Sequence, residues 1–138
     1  MPGFVRNLWP ALLWLTGLLV ITLIPGNFVP KTKGFWNHLS ADKIIHLVLF
    51  AGQSFLLLKG LAKQYPEKSG RYKLKVVLLL SVMLAALTEV LQWLLPIKRD
   101  GNFFDGLANI VGITIGLTAY LLVVRKKYQK LKTKQKID

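Results

Sequence analysis

Four apolar runs, at residues 8–24, 44–61, 74–95 and 103–124, each approach the length needed to cross a bilayer. A helix rises about 1.5 Å per residue, and ~20 mainly apolar residues span a hydrocarbon core of roughly 30 Å. In a chain of 138 residues these runs use most of the length. Hydrophobic residues make up 53% of the composition, so too little polar sequence remains to cover such a core in water. The chain therefore reads as one all-α integral membrane domain, a four-helix transmembrane bundle.

The breaks between runs carry turn chemistry. Pro25, Gly26, Pro30 and Gly34 interrupt helix after the first run, and Phe35 and Trp36 suit the headgroup belt ahead of the second. Ser40 or Asp42 is a candidate N-cap for that second helix. Pro96 ends the third run. The connections after the second and third runs are short, which predicts antiparallel neighbours and a tight hairpin of spans three and four. Pro10 falls in the first turns of span one, where proline is tolerated. Apart from Thr16 and Thr22, that span has almost no hydrogen-bonding groups inside it and reads as a packing and lipid-facing helix. No small-residue cleavage site follows it, so a retained span is expected rather than a signal peptide.

The formal net charge is +13, and its placement decides what it means. Lys59, Lys63, Lys68, Arg71, Lys73 and Lys75 flank the middle loop, Arg6 precedes span one, and seven Lys and Arg from Arg125 to Lys136 form the tail. All three groups lie on one side of a four-span chain. Basic residues beside spans stay cytoplasmic, so both termini are expected inside a bacterial cytoplasmic (inner) membrane. The division is then a transmembrane domain over 1–124 and a basic cytoplasmic tail over 125–138 that touches anionic lipid heads. Beyond Tyr128 the tail lacks interleaved aromatics, and nucleic acid is not an expected partner. There is no cysteine, which excludes disulfides and thiolate chemistry.

Polar residues inside spans are costly and mark functional sites. With about 100° of turn per residue, each of the last three spans carries one polar or small stripe. Span two has Asp42, His46, Leu49 and Gln53; span three has Ser81, Ala85, Thr88, Glu89 and Gln92; span four has Asp105, Ala108, Asn109, Gly112, Gly116 and Ala119. His46 and Asn109 lie about 6 Å below the first carboxylates of their spans, and Glu89 about 10 Å below Pro96. The three stripes converge at one end, with Asp42, Asp105 and Arg99 as a rim. The expected result is an outward-facing polar pocket in the outer leaflet. Gly112 and Gly116 allow close helix approach, which brings Asp105 and Asn109 to their partners.

Three blocks in this order and spacing resemble the VanZ-like family, small bacterial membrane proteins named for an accessory teicoplanin-resistance factor. They are Asp42-Lys43-x-x-His46 with Phe50 following, Glu89-x-x-Gln92, and Arg99 followed by Asp105-x-x-x-Asn109-x-x-Gly112-x-x-x-Gly116. The blocks cover most of spans two to four, while span one and the tail carry no residues of the pattern. The resemblance implies an effect on glycopeptide susceptibility.

The residues allow several chemistries. His46 suits a structural link to a carboxylate, a general base or nucleophile, or a metal ligand. Glu89 or Asp42 would orient it in a hydrolase or transferase acting on a lipid phosphate or ester. A divalent metal is a candidate cofactor, held by Asp42, Glu89 and Asp105, since magnesium and calcium prefer oxygen ligands. Lys43 and Arg99 suit a phosphate, and Gln92, Asp105 and Asn109 complete a binding pocket for a lipid or lipid-linked cell-wall precursor headgroup. Alternatively the polar set is only a knot that holds helices together in a structural subunit. The oligomeric state is not legible.

Overall fold

The computed structural model describes residues 2–25, 41–97 and 103–134. These form four helices: α1 Pro2–Thr22, α2 Ala41–Gln64, α3 Gly70–Leu94 and α4 Phe103–Lys134, with no strand among the described residues. All four are long and apolar enough to cross a membrane, over Gly3–Thr22, Asp42–Gln64, Gly70–Leu94 and Phe103–Val124.

Local chemistry sets the helix ends that the structure describes. Ser69 caps α3, its hydroxyl accepting a hydrogen bond from the Tyr72 backbone N–H at 3.1 Å. At the other end, Leu95 takes an extended conformation (φ −83°, ψ 143°), as the residue before Pro96 must. Asp42 is not the cap of α2; it sits in the first turn, where a carboxylate favours the positive end of the helix dipole. Ser40, Phe35 and Trp36 lie outside the described residues. One expectation on helix length is corrected. Pro10 lies well inside α1, because the helix begins at Pro2, and so removes the bond to the Arg6 carbonyl. The fourth apolar span ends at Val124, and α4 continues beyond it to Lys134. Lys, Arg, Leu and Gln are good helix formers and nothing in 125–134 breaks the run.

α2 is the hub of the bundle. α2 packs against all three other helices, and α1 and α4 make no packing contact among the described residues. The most extensive packing is α2 on α4, not the expected α3–α4 hairpin. Glycines explain it. A Cβ on Gly112 would collide with the Leu47 carbonyl, and one on Gly116 with the Ala51 carbonyl and the Ser54 hydroxyl. Backbone therefore lies directly on backbone, with the two helices parallel and in step. Ser54 strengthens the seam by donating to the Ile113 carbonyl at 3.2 Å. On the opposite side, the Trp14 indole N–H donates to the Leu49 carbonyl at 2.8 Å, and Asn7 donates to the Gln64 side chain at 3.0 Å. The start of α1 thus lies beside the end of α2.

The distribution of side chains is the reverse of a water-soluble core. His46, Gln53, Ser54, Ser81, Thr88, Gln92, Asp105 and Asn109 are buried, while Leu13, Leu79, Leu94 and Leu122 face outward. An apolar core does exist, around Leu18, Phe50, Val77 and Ile113. It occupies the middle of the bundle beside Gln53, Ser54 and Ser81, while the other buried polar residues just named gather at one end. Apolar side chains on the outside match hydrocarbon, and buried polar groups find hydrogen-bond partners inside, Gln53 Oε1, Ser81 Oγ and Asp105 Oδ1 excepted among the described residues.

Candidate functional site

The site forms where the last residues of α1 and α3 meet the first turns of α2 and α4. α2 supplies Asp42, Lys43 and His46, α3 supplies Thr88, Glu89 and Gln92, and α4 supplies Asp105 and Asn109. α1 contributes Thr22. His46 and Asn109 are 0% exposed and Gln92 2%. Burial this complete requires that each polar atom be satisfied within the protein.

A hydrogen-bonded chain does this. The Asn109 amide donates from Nδ2 to Glu89 Oε1 at 3.1 Å, which turns its carbonyl toward His46. Asn109 Oδ1 lies 2.9 Å from His46 Nδ1. A carbonyl oxygen only accepts, so Nδ1 carries the hydrogen of this bond, and Nε2 is the ring's other nitrogen. Two groups face that nitrogen. Gln92 Nε2 stands 3.5 Å away and Asp42 Oδ1 3.9 Å away, the second too far for a hydrogen bond. Gln92 is held in place by its own donation to the Thr22 backbone carbonyl at 2.8 Å. Thr88 turns its hydroxyl back to the Ala85 carbonyl at 2.9 Å and acts as a neutral packing residue beside the chain.

Charge is unevenly matched. Lys43 Nζ lies 3.5 Å from Asp105 Oδ1, an oxygen with no hydrogen bond among the described residues. Glu89 has Asn109 as a donor and no cation within ion-pair distance among the described residues. Arg99, the expected rim cation, lies outside the described residues. Among the described residues no three His, Asp or Glu side chains are grouped so as to hold a metal ion, and Asp42, Glu89 and Asp105 do not form the oxygen-rich set considered from sequence.

A cavity of about 500 Å³ reaches this cluster at Glu89. It lies between α3 and α4, walled by Val90, Trp93, Phe103, Leu107 and Ile110, and those residues are exposed on the outside of the bundle. Its described walls are residues of α3 and α4, two helices that pack on each other less extensively than α4 packs on α2.

The structure thus brings together His46, Glu89, Gln92 and Asn109 and places Asp42, Lys43 and Asp105 at their edge. Sequence reasoning missed Thr22, which closes the cluster from α1. Its contribution is a main-chain carbonyl at a helix end, where the last four carbonyls lack intrahelical partners. Any residue type offers that group, so no sequence signal marks it. A multi-pass membrane bundle with one buried polar cluster is the class this geometry defines. The family model described as VanZ/LLP1 matches residues 5–124, most of the chain and including span one, so the protein belongs to the VanZ/LLP1 family. No curated protein and no solved structure is matched by the chain.

Proposed function

We propose that the protein binds the head region of a membrane amphiphile, a lipid or lipid-linked cell-wall precursor, at the Glu89–Asn109–His46 cluster. One observation carries this reading. Glu89 belongs at once to the buried hydrogen-bonded chain and to the wall of the cavity between α3 and α4. A knot that only held helices together would have no need of a carboxylate exposed to a cavity, because its cost in hydrocarbon is high. Family membership supports an effect on glycopeptide susceptibility, with teicoplanin the agent to test. The placement of basic residues supports a cytoplasmic-membrane location with both termini inside.

The test pairs phenotype with folding. Teicoplanin susceptibility of expressing cells is measured for wild type, Glu89→Gln, His46→Ala and Arg99→Ala, beside the detergent-extracted folded yield. Native mass spectrometry of the same preparations reads retained lipid. The expected result is lost phenotype and reduced lipid retention in variants that still fold. Unaltered phenotype and lipid content in well-folded variants would leave the structural knot as the better account.

A second reading has its own support. With Nδ1–H held by Asn109, Nε2 of His46 is the ring nitrogen that a general base or nucleophile would use, and Asp42 stands 3.9 Å from it. In that case the protein is a hydrolase or transferase on a lipid phosphate or ester. Incubation with a bacterial lipid extract, followed by mass spectrometry for products that disappear in His46→Ala, separates the two.

A further inference from the structure

The cavity between α3 and α4 has a chemistry that the buried cluster does not by itself require. Its volume, about 500 Å³, falls in the range of small-molecule sites. Its walls are apolar and open to the lipid side of the bundle, and Trp93 and Phe103 at its upper rim are each 76% exposed. Aromatic residues at that level belong to the headgroup boundary. Gly106 lines the cavity, and a Cβ built there meets nothing within 4 Å, so the space is real and can be filled without collision.

One lining residue is ionisable. Glu89 accepts a single hydrogen bond, from Asn109, and among the described residues no Lys, Arg or His lies within ion-pair distance of it. Lys43 is engaged with Asp105 instead. A groove that only accommodated acyl chains would be apolar throughout. This one has an acceptor with spare capacity set into an apolar wall, five residues before the end of α3 at Leu94, or about 7 Å deep. That is within reach of the head and glycerol region of a lipid whose chain follows the groove. A phosphate at this point would meet the carboxylate with like charge.

We infer that an amphiphile enters this groove from the side, its chain along Val90, Leu107 and Ile110, and that Glu89 accepts a hydrogen bond from a donor in its headgroup, a primary ammonium or a hydroxyl. The inference rests on the reading that the cluster binds an amphiphile, and adds the route of entry and the headgroup chemistry. A donor completes the acceptor capacity of Glu89, and an ammonium also supplies a countercharge that no described Lys or Arg provides within ion-pair distance. Because Glu89 is tied to His46 through Asn109, occupancy of the groove is felt at the buried imidazole.

The experiment compares three lipids with identical acyl chains added to the purified full chain: phosphatidylethanolamine, phosphatidylglycerol and phosphatidylcholine. All carry a phosphate, but the choline nitrogen has no N–H. Thermal unfolding is followed for wild type, Glu89→Gln and Gly106→Leu, with bound lipid counted by native mass spectrometry. A ligand that binds only the folded state raises the unfolding temperature. The expected result is protection by phosphatidylethanolamine, phosphatidylglycerol or both, by several degrees above phosphatidylcholine. Ethanolamine alone identifies an ammonium donor, glycerol alone a hydroxyl, and both the shared donor chemistry. Glu89→Gln, which keeps a carbonyl acceptor for Asn109, should abolish the difference, and Gly106→Leu should abolish it by filling the groove. Equal protection by all three lipids, with lipid still bound, overturns this inference and leaves the amphiphile-binding reading standing. Lipid bound by none overturns both. A donor preference that survives in Gly106→Leu places the binding elsewhere and also overturns the inference.

Discussion

Asn109 is the residue on which the cluster turns, because among the described residues it is the one side chain that bonds both Glu89 and His46. Its amide has one donating and one accepting end, so it joins an acceptor to a donor and fixes which imidazole nitrogen holds the hydrogen. Leucine is close in size and has neither function. Asn109→Leu leaves the His46 Nδ1–H and one Glu89 oxygen without partners, at a cost of about 1–3 kcal/mol for each orphaned group. The unfolding temperature in detergent should fall accordingly. If the bond is real, the His46→Leu/Asn109→Leu double variant should lose less than the sum of the single variants, by ~0.5–3 kcal/mol. Strict additivity would mean that the two residues do not interact. The membership of this cluster was legible in the sequence, since charged and amide side chains in an apolar run stand out and their helical spacing places them on one face. The partner from α1 was not, because it acts through its main chain.

At the scale of helices, the seam between α2 and α4 governs the site. The close approach at Gly112 and Gly116 sets His46 opposite Asn109 and also parts α4 from α3, which opens the cavity beside Glu89. Sequence spacing showed the glycines and the need for a close neighbour, but not which neighbour. Chain connectivity favoured α3, through the short loop, whereas the carbonyl-lined groove of α2 with Ser54 at its edge is a backbone surface that residue types do not announce. The sequence marks where the apolar span of α4 ends, at Val124, and helix propensity carries the helix on to Lys134. Substituting either glycine by a branched residue tests the seam. Gly112→Val and Gly116→Val must push two backbones apart, and overpacking of this kind costs typically ~1–3 kcal/mol. Both should lower folded yield, and Gly106→Val, where a Cβ meets open space, should not. Equal tolerance at all three positions would show that α2 and α4 do not touch through their backbones.

Across the whole molecule, the packing puts the start of α1 and the end of α4 at one end of the bundle and the polar cluster at the other. Asn7 near the start of α1 reaches Gln64 at the end of α2, and α4 runs parallel to α2, so its basic continuation emerges beside them. Arg6, Lys59, Lys63, Lys68, Arg71, Lys73, Lys75, Lys126 and Lys127 gather at that end. The first turns of α2 and α4 at the opposite end carry Lys43 against Asp42 and Asp105. This asymmetry among the described residues predicts a cytoplasmic basic end, because Lys and Arg near span ends are retained on that side. The cluster and the groove beside Glu89 are then expected in the outer leaflet, where a cell-wall precursor and a glycopeptide meet. The chain has no cysteine, so single cysteines report cleanly. In intact cells, a membrane-impermeant maleimide should label Asn37→Cys and Gly101→Cys, and should label Lys68→Cys only after the membrane is opened. Labelling of position 68 from outside would invert the molecule and place the groove in the inner leaflet. Its amphiphile would then be drawn from the cytoplasmic lipid pool, and an effect on an extracellular glycopeptide would have to be indirect.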